Sequence, residues 1–578
     1  MRVDGKPEGL RQSMSWLHTW SGLLLGWLLY AVFFTGTLSY FVDEINDWMR
    51  PELHVSVAQA DTAEKAVAGI QKLAPDASSW SINLPDERHT AVEVTWRPKG
   101  APQGREGTQR AQLDASTGEV IPVRETRGGS FLYRFHFELY AMPRVWGRWI
   151  VGIATFVMLV AIISGVITHK KIFTDFFTFR PRKGQRSWLD AHNATAVLAL
   201  PFHIVITFSG LLLLMTMLMP WGAYAVYDGE PQRFNAERRG MQAAPAQQGG
   251  PQQAAREGRG EGRERKAAEP QAMAPIGPML QVAQAHWQGG AVGSISVQNP
   301  NTQRATVELR AERADSLLLG RAGSQRVVLD GVTGALKEVP EVRQPSTAMA
   351  VMNSMVSVHL GRFAGPAVRW LLFLSGLVGT CMAATGLVLW VVKRQPDRRK
   401  LGYTPKGHRL VEVLNVAAIA GLSVAVAGYF WLNRLLPVGL EARSNAEING
   451  FFAIWLACLV HAALRPHAKA WLEQMAVAAV AFALLPLLNV WTGGAGLWLT
   501  LSHSQWSVAG FDLMMLALGL VHAAVVAKLW QRRKKMGAVA VPAARQGVAS
   551  QKAVLQAPES QACARGLHCC WRCPLLRH

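Results

Sequence analysis

The sequence has few cysteines, and its two long polar segments have none. The six are Cys381 and Cys458 in apolar runs, and Cys563, Cys569, Cys570 and Cys573 near the C-terminus. The polar segments therefore have no disulfide framework. The C-terminal group has no second well-spaced pair of ligands, so it indicates zinc only weakly. No C-x-x-C-H motif is present, so the cysteines indicate no covalent cofactor attachment.

Charged residues are also scarce, at 17% of the chain, although the net charge is +21. No groove-reading motif accompanies this charge, which argues against a nucleic-acid partner. Many basic residues instead stand in short loops beside apolar runs, the positive-inside pattern of proteins that span a lipid bilayer. No A-x-A site follows the first apolar run, which is too long for a signal-peptide core, so we interpret it as a retained span.

Long apolar runs account for much of the sequence, since 50% of its residues are hydrophobic. Eight runs have the roughly twenty apolar residues that a bilayer requires. The predicted spans are about 16–41, 146–168, 190–219, 367–392, 411–436, 448–465, 471–491 and 508–530. Basic loops after spans two, four and eight place both termini in the cytoplasm and the polar segments outside.

The predicted spans divide the chain into seven parts. They are 1–41 (first span), 42–145 (first polar domain), 146–219 (spans two and three with a basic loop), 220–366 (second polar segment), 367–392 (fourth span), 411–530 (four additional spans) and 536–578 (tail). An insert at 231–275 is rich in Gln, Gly, Pro, Ala and Arg and is predicted to be disordered, as is the tail.

The two polar segments and the spans around them look duplicated. RAQLDASTGEV (110–120) and RVVLDGVTGAL (326–336) share Leu-Asp-x-x-Thr-Gly after an alternating strand, which predicts a turn in each of two small α+β domains. Aligning Thr35-Gly36 with Ser209-Gly210 places His18 on His192, and His136 and His359 each precede a proline by seven residues. The predicted fold is mainly α: a polytopic helix bundle with internal duplication and two small domains.

Six histidines are the candidate functional residues. His18, His169 and His192 are predicted near the basic side of the membrane, and His136, His203 and His359 toward the other side. His192 and His203 are eleven residues apart, so on a continuous helix they would share a face about 16 Å apart. Pro201 is expected to kink that helix.

Three interpretations of these histidines stay open. They could pack and hydrogen-bond at the interface, form a proton or metal pathway, or bind haem iron in pairs from facing helices. Two such haem sites at different depths would form an electron path across the membrane. The aromatic residues near His136 could line a docking site or form an interfacial belt. They are Phe131, Tyr133, Phe135, Phe137 and Tyr140.

Several stretches together resemble a known family. They are TGTLSYF (35–41), the repeated LDxxTG, ITHKKIFTDFFTFRPRKGQRSWLDAHN (167–193) and ALPFHIVITFSG (199–210). They are similar to the PepSY-associated transmembrane-helix family, and within it to the iron-regulated inner-membrane branch that includes ferric-siderophore reductases. The resemblance covers about 1–410, and GYFWLNRLLP (428–437) resembles a longer subgroup of that branch.

The resemblance implies a multi-pass protein of the inner membrane with two PepSY-like periplasmic domains and two b-type haems. It assigns the haem-ligand role to His18, His136, His169, His192, His203 and His359, of which two bis-histidine haems need four. The repeat favours His18 with His192 and His136 with His359, while His169 and His203 offer an asymmetric alternative.

The implied reaction passes electrons from a quinol or another cytoplasmic-side donor to a ferric siderophore, releasing Fe(II). Two further functions stay open: a PepSY binding or regulatory protein without redox chemistry, and a transport partner for iron or its chelate.

Overall fold

The computed structural model describes residues 9–554 apart from 103–105, 170, 172–173, 175, 227, 231–268, 313–316, 320–324, 341–343 and 362. The described residues up to His522 form one compact unit, and those from Ala523 onward form a second. Most of the insert predicted to be disordered, and the cysteine-bearing end of the tail, lie outside the described residues.

Within the described residues, six long apolar helices and two bent helix pairs could cross a membrane, which confirms a polytopic helical protein with up to eight spans. The first span runs over Leu10–Trp48 and comprises α1 (Leu10–Leu38), a 3-10 turn (Ser39–Phe41) and α2 (Val42–Trp48). The helices that follow are α3 (Thr62–Leu73), α4 (Gly129–Glu138), α5 (Arg144–Thr168), α6 (Gln185–Leu198), α7 (Leu200–Leu213), α8 (Met215–Leu218), α9 (Pro220–Val226), α10 (Ile276–His286), α11 (Thr347–Leu360) and α12 (Pro366–Lys393).

Further helices follow the duplicated part. They are α13 (Gln395–Leu401), α14 (Lys406–Val416), α15 (Leu422–Leu435), α16 (Arg443–Leu464), α17 (His467–Ala483), α18 (Leu485–Trp491), α19 (Leu497–Ser502) and α20 (Trp506–Val554). A π-helical turn, Ala417–Gly421, joins α14 to α15. The last helix enters the tail that was predicted to be disordered, because Ala, Gln, Lys and Arg are good helix formers and elongating a formed helix is easy.

The two polar domains share a single sheet, which corrects the expectation of two separate domains. The strands are β1 (Ala77–Asn83), β2 (Val92–Pro98), β3 (Gln109–Leu113), β4 (Val120–Ile121), β5 (Val292–Gln298), β6 (Thr306–Ala311), β7 (Arg326–Asp330) and β8 (Leu336–Glu338). Their order is β4-β3-β2-β1-β5-β6-β7-β8, antiparallel throughout.

Pairing between β1 and β5 joins the repeats. Trp80 and Ile82 lie opposite Val297 and Ile295, and all four are at most 1% exposed. One apolar core therefore extends under both halves of the sheet, between it and the helices α3 and α10. Two unpaired strand edges would otherwise face solvent, and their mutual pairing removes both.

The LDxxTG sequences form the predicted turns. Asp114 Oδ1 accepts the Ser116 N–H at 2.7 Å, and Asp330 Oδ1 accepts the Val332 N–H at 2.9 Å. Gly118 and Gly334 follow with φ of 75° and 73°, where a residue with a side chain would be strained. Residues 269–275, which the sequence analysis placed in the disordered insert, join this domain: the Ala274 N–H donates to Gly331 O at 2.9 Å.

The third span is sharply bent. Helices α6 and α7 meet at 66° across Ala199, and Pro201 occupies the first turn of α7, in agreement with the predicted kink. His192 and His203 consequently stand on differently directed helices, so the prediction that they share one helix face is wrong.

Helix α1 is central to the duplicated bundle, since it packs against α4, α5 and α12. Helix α6 packs on α12, and α7 packs on α5 and α11. An apolar cluster of Leu29, Ala154 and Met158 lies at the middle of this bundle. These contacts bring four of the candidate histidines into pairs.

Candidate functional site

Four of the six histidines form two ring pairs between helices. The His18 ring on α1 faces the His192 ring on α6, and the His136 ring on α4 faces the His359 ring on α11. The ring centroids are 6.2 Å apart in both pairs. The two pairs therefore share one ring separation, with interplanar angles of 58° and 42°, on different partner helices, as the internal duplication suggests.

The Nδ1 atom of each paired ring is already hydrogen-bonded. His18 donates to Ala161 O at 2.8 Å, His192 to Met382 O at 3.0 Å, and His136 to Val32 O at 2.7 Å. Because a carbonyl can only accept, these Nδ1 atoms carry the proton and Nε2 has the free lone pair.

His359 reaches the same state through a hydroxyl. Ser209 donates its hydroxyl proton to Val205 O at 2.6 Å, and its oxygen lies 2.9 Å from His359 Nδ1. The ring nitrogen is then the donor, and Nε2 is again unprotonated. In metal sites this second hydrogen bond selects the tautomer and fixes the orientation of a histidine ligand.

A glycine on a neighbouring helix lies against every paired ring. A Cβ added to Gly36 would come within 2.6 Å of the His136 ring, and one on Gly165 within 3.1 Å of the His18 ring. The corresponding distances are 3.2 Å from Gly210 to His359 and 3.1 Å from Gly386 to His192. Each glycine follows a serine or threonine. We call these four positions the glycine cradles.

Each ring pair borders a cavity of about 290 Å³. We name them the His18 cavity and the His136 cavity. Apolar side chains form most of both walls, and Leu29 and Met158 belong to both linings. On α5, Gly165 lies beside His18 while Thr155 lines the other cavity. These positions are ten residues apart, which is about 15 Å along the helix.

Basic side chains belong to the lining of each cavity. Lys393 and Arg394 line the His18 cavity, and Arg394 lies 3.9 Å over the Trp390 ring. Arg148 lines the His136 cavity, pairs with Glu138 and lies 5.6 Å over the Phe137 ring. An occupant with an apolar body and acidic groups at its margin would match both cavities.

The other two candidate histidines belong to neither of these two pairs. His169 lines the His18 cavity, where its Nε2 lies 3.2 Å from Asn193 Nδ2. His203 is 1% exposed and packs edge-on against Phe33 at 6.0 Å, with Nε2 3.2 Å from the position of a Gly379 Cβ. Neither of its nitrogens has a hydrogen bond of good geometry within the described residues.

The ring pairs fit a bis-histidine haem. An iron between two imidazoles, about 2 Å from each nitrogen with each centroid about 1.2 Å behind it, separates the centroids by about 6.4 Å. The observed 6.2 Å in both pairs is close to this distance. The free Nε2 lone pairs, the apolar cavity walls and the basic margins are the other features such a group needs.

Comparison with known proteins agrees with this architecture. The family model for the PepSY-associated TM region matches residues 15–393. The chain belongs to the PepSY-associated transmembrane family. The match ends at the last residue of α12 and includes all six candidate histidines, the glycine cradles and the eight-stranded sheet. No curated protein matches the chain.

The glycine cradles were missed by sequence reasoning. The pairs Thr35-Gly36 and Ser209-Gly210 served only to align the repeats, and Ser164-Gly165 and Thr385-Gly386 were not considered. Glycine is frequent in membrane helices, so one such pair is a weak signal. Four Ser/Thr-Gly pairs, one in each of the first four spans of a chain with paired histidines, would have been a stronger signal.

Proposed function

We propose that this member of the PepSY-associated transmembrane family is an inner-membrane reductase with two b-type haems. It passes electrons from a cytoplasmic-side donor, such as a quinol, to a ferric siderophore in the periplasm and so releases Fe(II). The observation that carries the proposal is the repeated ring pair, with the same 6.2 Å separation and the same bonded Nδ1.

The basic loops support an orientation for this path. Lys393 and Arg394 at the His18 cavity are followed by Arg398, Arg399 and Lys400, and the positive-inside rule assigns such a loop to the cytoplasm. The His18 cavity is then the cytoplasmic-side site and the His136 cavity the periplasmic-side site. The sheet domain, which follows the opposite ends of the spans, faces the periplasm.

The side chains of the two sites would hold and orient their groups. His18 and His192 would hold one haem, and His136 and His359 the other, each through Nε2. Haem b, when bound, accepts and releases one electron at a time. Leu29 and Met158, which both cavities share, would exclude water between the two sites.

Siderophore reduction suits a site without a nucleophile or a general base. Hydroxamate-type oxygen ligands are hard donors that hold Fe(III) far more tightly than Fe(II). One electron delivered to the chelate therefore releases the metal. Tyr133, Phe137 and Arg148, which line the His136 cavity, are the side chains that we expect nearest the docked chelate.

The test is a single-turnover reaction of the purified full chain. The protein is reduced with a quinol or with dithionite, freed of excess reductant and mixed with a ferric hydroxamate chelate. We expect the haem bands to reoxidise while a ferrous-specific chromophore reports Fe(II). The His359→Ala variant should lose this transfer, and His286→Ala, at an exposed position of the sheet domain, should keep it.

A haem-loaded protein that ferric chelates leave fully reduced would contradict the reductase proposal. Transfer at the wild-type rate in His359→Ala would contradict the assigned path.

A further inference from the structure

Among the residues that the structure describes, the helices beyond Arg394 contribute none to the lining of either cavity. They also lie outside the family match. Aromatic side chains of two of them nevertheless lie against α4, the ten-residue helix that carries His136. We propose that helices α15 and α16 clamp α4 and thereby position His136 against His359. This inference rests on the proposed haem function, and its test distinguishes failure of the inference from failure of that function.

The apolar side of α4 is covered by aromatic rings from the additional helices. Phe131 and Phe135 are 4% and 6% exposed. The Phe131 ring centroid lies 5.2 Å from both Tyr429 on α15 and Phe451 on α16. The ring centroids of Phe135 and Phe452 lie 5.8 Å apart, with the ring planes inclined at 67°. Edge-to-face contacts of this kind fix orientation as well as distance.

Polar contacts hold the N-terminal end of the same helix. The Tyr429 hydroxyl donates to Gly128 O at 3.0 Å, and Thr126 donates its hydroxyl proton to Glu447 at 2.5 Å. Arg443 donates to Glu125 O at 3.1 Å. Gly128 has φ of 55°, so the chain turns sharply here before α4 begins. The start of α4 is therefore fixed by hydrogen bonds from α15 and α16.

The clamp and the ring pair use different sides of α4. Phe131 and Phe135 point to the additional helices, whereas His136 lines its cavity and donates to Val32 O on α1. A helix of ten residues is too short to be stable without packing. Loosening its aromatic side would move His136 relative to His359, which is held separately by Ser209 on α7.

The two repeats differ in this support. Helix α11, which carries His359, packs on α7 inside the duplicated bundle. Helix α4 packs on α1, α2 and α5 and, in addition, on the aromatic rings of α15 and α16. The aromatic rings of α15 and α16 thus lie against the ligand helix of the His136 site.

The experiment compares Phe451→Ala, Phe451→Leu and Tyr429→Phe with Tyr403→Phe, a matched change at a side chain that is 63% exposed. The first readout is carbon monoxide binding to the reduced full chain, because CO binds only where an axial position opens. The second is amide hydrogen exchange of residues 130–138 in protein prepared with and without haem.

The wild type and Tyr403→Phe should bind no CO. We expect Phe451→Ala to bind CO at one of its two haems, and Phe451→Leu and Tyr429→Phe to show a smaller fraction at that same haem. Exchange of the α4 amides should rise at least tenfold in Phe451→Ala with haem absent. If Phe451→Ala does not fold, CO binding and α4 amide exchange in Phe451→Leu and Tyr429→Phe still test the proposal.

Unchanged α4 exchange and no CO binding in the variants would overturn the clamp, and so would equal CO binding at both haems, which indicates general loosening. Faster α4 exchange in a chain that binds no haem at all would support the clamp while contradicting the proposed function.

Discussion

Each paired histidine is placed by one glycine and one acceptor on a neighbouring helix. For His18, His136 and His192 the acceptor is the carbonyl four residues before the glycine: Ala161 before Gly165, Val32 before Gly36 and Met382 before Gly386. The glycine lets the ring lie against the helix backbone, and the carbonyl selects the tautomer. Sequence and local chemistry together thus leave Nε2 unprotonated and able to act as a ligand.

Adding a methyl group to a cradle should displace one ring. We expect Gly36→Ala to lose the haem of the His136 pair and to retain the other, because the new Cβ would lie 2.6 Å from the ring. Gly510→Ala, which places its Cβ in open space within a helix, is the control. Haem per chain should fall from two to one in Gly36→Ala only; an unchanged content would show that the cradle does not position His136.

His54 predicts a pH dependence of stability outside the membrane-spanning helices. It is 4% exposed, accepts the Ala495 N–H and donates to Asp47 O. Burial, and then the nearby Arg434 charge, lowers its pKa to about 3. The folded state then binds fewer protons than the unfolded state between about pH 6.5 and 3, so stability is present above this range and is lost as the pH falls through it.

Acidification from pH 7 to 5 should therefore cost about 2 kcal/mol through His54 alone. His54→Gln retains a donor and an acceptor but does not titrate. We expect the thermal unfolding midpoint of the wild type to fall more steeply between pH 7 and 5 than that of His54→Gln. Parallel pH profiles would show that His54 is not held neutral.

At the residue scale, the repeat alignment brought together the same pairs that the structure does, because a duplication is visible in the chain itself. The positions of His169 and His203 could not be predicted from the repeat alignment. Burial of His203 against Phe33 and Gly379 depends on the 66° bend of the third span, and a bend angle has no periodic signature in the sequence.

At the scale of elements, local signals predicted local features. Pro201 predicted the bend and LDxxTG predicted the turns. The support of α4 was not predictable, because its partners are distant in the chain: Tyr429 bonds to Gly128 across 301 residues. An apolar face predicts that a helix is buried on that side, but the sequence does not identify the helix that packs against it.

The joined sheet can be tested by cross-linking. Ser81 on β1 lies opposite Ser296 on β5, where Cβ atoms are about 4.5–5.5 Å apart. We expect a Ser81→Cys, Ser296→Cys double variant to form a disulfide on mild oxidation, detected as a linked peptide by mass spectrometry. Its control is Ser79→Cys with Ser294→Cys, whose partners are Gln298 and Asn83.

The control pair is about 13 Å apart along the strands, too far to bridge. Linkage of the control, or no linkage of Ser81→Cys with Ser296→Cys, would contradict the continuous sheet.

At the scale of the whole molecule, hydropathy predicted the number of spans well, because a bilayer demands about twenty apolar residues in each. Eight predicted runs correspond to six long helices and two bent pairs. The single sheet was missed, because β1 and β5 lie in segments separated by spans two and three. In the sequence, each repeat looked complete as a domain. The edge strand that each copy would leave unpaired becomes apparent only when the two copies pair with each other.

The proposed electron path requires that two imidazole pairs hold two haems at different depths. A pyridine-haemochrome assay on the purified full chain, expressed with ample haem, measures this directly. We predict two b-type haems per chain, and one in each of His192→Ala and His359→Ala, with His286→Ala retaining both. A wild-type chain without haem, or variants that retain both haems, would contradict the account.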